Sequence, residues 1–323
     1  MLSRILLSTG LFVLGWALAA GLLPAAADQG MIVMTELKEN IDIYEPQQKA
    51  ILCWNRGTEL MILSTDKHLS RKAKVLSFMP LPAKPGRVEQ VDADVFESVS
   101  RLIEAHRPRV AQRDSNSNAK GHGADGLRAE EAVRVVFHEK IGAHDITIVE
   151  VRELVGFSEW VKKFYAAQRI PYQQEKVVKL QPLVRDYLRR GYGHFVFDVI
   201  ELTEERKTVS PILYEFKSPA IYYPLVVSTL TQGRTSIALY MFTPGKTDIW
   251  GTRTSFVSGY YARGDRVDYG HPIKFEVAPS ELASISPDLI KFMAGSPRVW
   301  FSAAKYEGAT SKLTRDFFMK IRH

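Results

Sequence analysis

The order of apolar and polar positions divides this chain into an apolar leader, a strand-rich body and one polar interruption. The leader is residues 5–23, diluted by Ser8, Thr9, Gly10 and Gly15. Past it, residues 50–54 and 59–63 are apolar runs on either side of Asn55-Arg56-Gly57. That pattern predicts a hairpin, with Gly57 taking the positive φ a tight turn needs. Residues 73–79 predict a third strand, ended by Pro80-Leu81-Pro82 and Pro85-Gly86. Val95, Val99, Leu102 and Ile103 fall at helical spacing, so a helix capped by Asp92 or Asp94 runs to about His106.

Residues 111–128 carry almost no apolar side chains and three glycines. Nothing there offsets the entropy of ordering, which predicts a mobile surface insertion. A second hairpin is expected from residues 133–137 and 146–151. Two helices follow, 159–168 capped by Ser158 and 180–190 closed by Gly191. Residues 194–200, 212–216, 221–227 and 237–242 are the most β-rich of the chain, separated by Gly, Pro, Ser and Thr. The last stretch predicts strands near 255–262, 273–277 and 299–304. It also predicts helices near 279–283, 288–294 and 312–321. Strands outnumber helices and do not alternate with them, so the fold class is α+β, mainly antiparallel sheet with a few packed helices. The expected organisation is a signal peptide over 1–27, an α+β domain over 28–250 with the polar insertion, and a C-terminal α+β extension over 251–323.

Charge sharpens the reading of the leader. Arg4 precedes the apolar run, and Pro24-Ala25-Ala26-Ala27 precedes Asp28. A short positive start, an apolar segment and small residues for the peptidase are the parts of a secretory signal, with cleavage between Ala27 and Asp28. The rival is an uncleaved anchor, since residues 5–23 nearly span a core of roughly 30 Å. The dilution by glycine and hydroxyl residues and the helix-breaking Pro24 favour cleavage. The protein is therefore expected to be exported, periplasmic or extracellular, with no membrane span after cleavage. Cys53 is the only cysteine, too far downstream to carry a lipid and unable to form an internal disulfide. In its apolar run it reads as a small buried hydrophobe.

Lys and Arg total 43 against 36 Asp and Glu, a net +7. The densest basic cluster is Lys162, Lys163, Lys176, Lys179, Arg185, Arg189 and Arg190. Aromatic side chains do not interleave with it, so it reads as a solvated face, and no nucleic-acid partner is expected.

Residues 47–85 read QQKAILCWNRGTELMILSTDKHLSRKAKVLSFMPLPAKP, and VDADVFESVSRLI follows. Further on come IGAHDITIVEV, FSEWVKKF, LVRDYLRRGYGHFVFDVIEL, SPILYEFKSPAIYYPLVV and IALYMF. This ordered set resembles an uncharacterised family of exported bacterial proteins, a domain of unknown function. The likeness rests on a hairpin after Gln47-Gln48, the Pro80-x-Pro82 exit, Tyr187-x-x-x-Gly191-Tyr192 at a helix end, and Tyr223-Pro224-Leu225. It covers roughly residues 45–245. It implies export and an intact fold, and lends no catalytic residue.

Candidate chemistry is sparse. His138-Glu139 and His144-Asp145 flank the second turn, where two imidazoles and a carboxylate could approach as zinc ligands, although the spacing follows no zinc signature. A solvated hairpin tip is the plainer reading. His194 and Asp198 share a strand face but sit about 13 Å apart, too far for a dyad. If Tyr222 and Tyr223 point to opposite faces of an edge strand, one could stack on a ligand such as a sugar while the other packs inward, but core or rim packing is the plainer reading. No Gly-x-Ser-x-Gly elbow, phosphate loop, dinucleotide fingerprint or His-Glu-x-x-His helix is present, so no cofactor, metal or catalytic residue is assigned. The resulting expectation is an exported soluble protein that binds or scaffolds, without enzymatic activity, in the bacterial envelope or exterior. Its partner is unknown, an envelope component or another exported protein. The alternative is an exported hydrolase whose acids and histidines converge only in three dimensions, so enzymatic activity stays an open question.

Overall fold

A computed structural model of the protein describes residues 30–33, 43–44, 48–69, 73–108, 133–170, 172, 174–202, 207–230, 233–247, 249, 255–263 and 266–321. The expected cleavage site at Ala27 and Asp28 and the polar stretch 111–128 lie outside the described residues.

Two short strands, β1 (Gly30–Val33) and β2 (Ile43–Tyr44), precede the hairpin β3 (Gln48–Asn55) and β4 (Thr58–Leu69). Next come β5 (Ala73–Leu81), β6 (Pro85–Gln90) and helix α1 (Asp94–Ala105). The second hairpin, β7 (Val133–Ile141) and β8 (His144–Val151), leads into α2 (Leu154–Ala167) and α3 (Gln174–Arg189). Strands β9 (His194–Leu202), β10 (Lys207–Lys217), β11 (Ile221–Tyr223) and β12 (Arg234–Thr243) follow. The remainder holds β13 (Val257–Ser258), β14 (Tyr260–Arg263), β15 (Arg266–Pro272) and β16 (Lys274–Val277). The chain closes with α4 (Pro279–Ile285), α5 (Pro287–Phe292), β17 (Val299–Ala309) and β18 (Phe317–Met319).

The strands form two large sheets. The smaller, ordered β1-β5-β9-β8-β7, is antiparallel throughout. The larger runs β13-β17-β12-β3-β4-β10-β6, with β16 on β17 and β2 on β4. Its β12–β3 pair is parallel. The fold is α+β and mostly antiparallel.

Period-two alternation places the sheets in four layers. In β4, Met61 and Leu63 face the smaller sheet while Leu60 and Ile62 face the opposite way, toward α1, α4 and α5. In β9, Val196 joins the inter-sheet core while Phe195, Phe197 and Val199 pack under α2 and α3. Helices thus cover both outer faces of a two-sheet sandwich. Under α2 and α3 the packing is aromatic: Phe78 stacks on Phe195 at 5.3 Å and meets Phe197 edge-on at 5.3 Å. Truncating a fully buried phenylalanine of this kind costs about 3–5 kcal/mol.

The first turn follows the sequence closely, with Arg56 and Gly57 both at positive φ, 49° and 73°, as a two-residue hairpin loop requires. Several expectations change. The strand expected over 221–227 ends at Tyr223 and gives way to a 3-10 turn over Val226–Leu230. Helix α2 starts at Leu154, and Ser158 lies inside it, its hydroxyl donating to Leu154 O at 3.3 Å rather than capping. Helix α3 starts six residues earlier than its apolar pattern suggests and carries Pro182 inside it. The helix expected over 312–321 is replaced by a short 3-10 turn at Thr310–Lys312 and by β18. There Phe317 and Met319 are buried while Phe318 is exposed, an alternation of two that fits a strand and not a helix. Within the C-terminal stretch, β17 pairs with β12 along its length and β18 pairs with β11. Among the described residues, no helix is long and apolar enough to cross a membrane.

Candidate functional site

A cleft of about 470 Å³ opens where the end of α3 meets β11 and the segment leading into β18. Its size lies within the range of small-molecule sites. Asp186, Arg190 and Tyr192 line one wall and Thr314, Arg315 and Phe318 the other. Local sequence sets each wall. Gly191 at φ 82° ends α3, a conformation that only glycine takes cheaply, and this turns Arg190 and Tyr192 back toward β11. The alternation in β18 sends Phe317 and Met319 into the inter-sheet core and leaves Phe318 in the cleft.

The floor is built around Asp316. Its Oδ1 accepts from Tyr187 Oη at 2.9 Å, Leu225 N at 2.8 Å and Val226 N at 3.0 Å. Its Oδ2 accepts from Arg190 Nη1 at 2.7 Å. Arg190 also pairs with Asp186 and lies 4.5 Å above the Tyr187 ring. Burial works against the Arg190 cation, but its hydrogen bond to Asp186 and the charge of Asp316 outweigh this and hold it charged. Burial, reinforced by Asp316, pushes the Tyr187 and Tyr192 hydroxyls above their usual range. These phenols stay neutral donors. Tyr192 stacks with Tyr187 at 6.2 Å and meets Tyr222 edge-on at 5.5 Å. Across the cleft, Arg315 is exposed and makes no ion pair among the described residues. The rigid, saturated floor thus carries aromatic edges and faces two guanidinium groups, only one of them committed.

Tyr222 and Tyr223 were weak aromatic candidates, with core or rim packing the plainer reading. Both are buried, at 0% and 3% exposure, because β11 is covered by β18 on one edge and by the inter-sheet core. Tyr222 reaches the cleft only as part of its wall. Its N–H donates to Glu59 Oε2 at 2.7 Å and its hydroxyl to Pro80 O at 3.3 Å. Glu59 is wholly buried, and desolvation pushes its carboxyl well above the usual range against the weaker pull of the Tyr222 N–H.

The histidines and acids divide among separate places. His138 pairs with Asp145 at 2.9 Å on the exposed face of the β7–β8 hairpin. His144 points the other way, into the inter-sheet layer, with Nδ1 2.6 Å from Asp198 Oδ2. His138 and His144 therefore do not meet. His271 pairs with Asp268 at 3.0 Å on the surface. His194 is half-buried opposite Glu150, and burial pushes it below its usual range against the pull of that carboxylate. Cys53 is fully buried, and desolvation raises its thiol well above the usual range. Lys162, Lys163, Lys179, Arg185 and Arg189 are exposed on α2 and α3, while Arg190 is folded into the cleft. Sequence reasoning missed Arg315, Asp316 and Phe318, whose only local signal was the strand alternation at 317–319.

A family profile described as "Uncharacterized protein conserved in bacteria (DUF2330)" matches residues 24–302. The chain belongs to this family. Three of the stretches that suggested it meet at the cleft floor in this structure. Tyr187 and Tyr192 bracket the α3 end, Leu225 N reaches Asp316, and Pro80 O accepts from Tyr222. No curated protein matches the sequence. Among solved structures, baculovirus P35 aligns with a TM-score of 0.43 at 10% identity, covering 88% of this chain and 98% of that one. P35 in the caspase-8/P35 complex aligns with a TM-score of 0.42 at 10% identity, covering 85% and 96%. Scores at this level carry nothing over to this chain.

Proposed function

We propose that this protein is exported and acts without catalysis, binding a small acidic ligand with a ring face in the cleft between the α3 end and residues 314–318. The observation that carries this reading is the pairing of an uncommitted cation, Arg315, with the aromatic side chains of Tyr192 and Phe318 around a cleft of about 470 Å³. A guanidinium takes a carboxylate or phosphate through paired N–H groups. The aromatic side chains take a ring or sugar face. The histidine–acid pairs support a binding role over hydrolysis, because His138–Asp145 and His271–Asp268 lie apart on the surface and His144–Asp198 lies inside. Export rests on the arrangement of Arg4, the apolar run and Ala25 to Asp28.

The test combines address and contact. The protein is produced in a bacterium with a photo-reactive residue at position 318 and, as control, at position 159. Cells are fractionated and the mature N-terminus is read by mass spectrometry. The reading predicts an extracytoplasmic protein starting at Asp28, with a small acidic adduct at 318 and none at 159. An intact Met1 in the cytoplasm, or equal labelling at both positions, overturns it.

A further inference from the structure

The inter-sheet layer contains a second polar cluster, away from the cleft. The register sets Asp198 of β9 opposite Ile146 of β8. His144 is therefore a diagonal neighbour of Asp198 on the same face, within reach across the strands. Its Nδ1 lies 2.6 Å from Asp198 Oδ2 and its Nε2 3.1 Å from the carbonyl oxygen of Ser210. Ser210 belongs to β10 in the larger sheet, at the register break between Val209 and Ile212. Pro211, in the same break, has no N–H to give a ladder. The imidazole thus spans from one sheet to an irregular stretch of the other.

The partners fix the proton count. A carbonyl oxygen only accepts, so Nε2 carries hydrogen. A carboxylate also only accepts, so a lone pair on Nδ1 facing it would be repulsive at 2.6 Å. Either Nδ1 carries hydrogen or Asp198 does. In both descriptions one proton lies on the Nδ1···Oδ2 axis in addition to the one on Nε2.

The other carboxyl oxygen, Asp198 Oδ1, is buried and has no hydrogen-bond partner. Beside it is a void with about 10 Å³ for the centre of a water molecule, and Ser77, His144, Asp198 and Tyr214 are its polar lining. The rest of the lining is apolar, from β4, β5, β9 and β10. Among the described residues, Tyr214 is the other titratable group lining it. Burial and the nearby Asp198 raise its hydroxyl well above the usual range, so it stays protonated. A void of this size beside an unmet acceptor and two hydroxyl groups suits one water molecule.

We propose that this void is a binding site for a single water that donates to Asp198 Oδ1. Together with the proton held between Asp198 and His144, that water latches the smaller sheet to the Ser210 carbonyl of the larger one.

The test uses the intact protein with 15N-labelled histidine, and a high-resolution crystal structure. The proposal predicts two slowly exchanging protons at the His144 ring, one on Nε2 and one far downfield on the Nδ1···Oδ2 axis. The crystal structure should show one water within hydrogen-bonding distance of Asp198 Oδ1. His144→Phe, which keeps a ring without the hydrogen bonds, should speed amide exchange in β8 and β9 at least tenfold, with α4 and α5 unchanged. A dry void, a single proton at the His144 ring, or unchanged amide exchange in β8 and β9 of the Phe variant overturns the proposal.

Discussion

Asp198 and Asp316 are both buried, with side chains 8% and 5% exposed, yet their surroundings differ. Asp316 accepts from four donors on two segments of chain and has no vacant oxygen. Asp198 has one imidazole partner and one oxygen with none. A buried carboxylate with every lone pair used fixes backbone and costs much to remove. One with a lone pair left over marks a place where something else belongs. The first builds the rigid floor of a cleft that faces solvent, and the second sits in the layer that joins the sheets.

The largest effect separating the two is expected from Asp316→Ala. It leaves Arg190, Tyr187 and two backbone N–H groups without their acceptor, so chemical denaturation should show a loss of about 3–5 kcal/mol. A loss under about 1 kcal/mol would erase the contrast. Asp198→Ala removes one hydrogen bond and also an unmet oxygen, so it should cost less, about 1–3 kcal/mol by the same measurement. Equal costs would mean that the unmet oxygen of Asp198 has no energetic consequence.

Glu59 sharpens the comparison through pH. Its folded carboxyl is raised above the ordinary 4.5, so the unfolded chain ionises first. Its contribution is complete below that value and falls as pH rises until the folded group ionises, by about 1.4 kcal/mol per pH unit. Glu59→Gln should abolish that slope: the variant gains on the parent in melts at pH 8 and matches it near pH 4. A parallel pair of pH curves would contradict the burial argument. The smallest stability effect is expected from Arg315→Ala, within about 0.5 kcal/mol, as for an exposed side chain without a partner. A larger loss would place Arg315 in the framework instead of the site.

The sequence made the hairpins legible because their signals are local. Asn55-Arg56-Gly57 sets a two-residue turn, and the apolar runs beside it alternate over the residues that pair. The end of α3 at Gly191 was legible for the same reason. Ser158 misled because a capping residue and an internal hydroxyl bonding back four residues look alike in sequence. Residues 312–321 misled because three apolar positions at 317–319 fit either period until β11 is known to lie alongside. The sites are harder still. His144 and Asp198 lie far apart in sequence and meet only through the β8–β9 register. Asp316 looks like any charged residue after Arg315 until four donors surround it.

The cleft account stands most directly on a titration followed by NMR, using the 15N-labelled protein with benzoate and with glucuronate as separate probes. It predicts saturable shifts at Tyr192, Arg315 and Phe318 for at least one probe, lost in Arg315→Ala and unchanged in an exposed control, Lys163→Ala. No saturable shift with either probe, or the same shifts in Arg315→Ala, would contradict it.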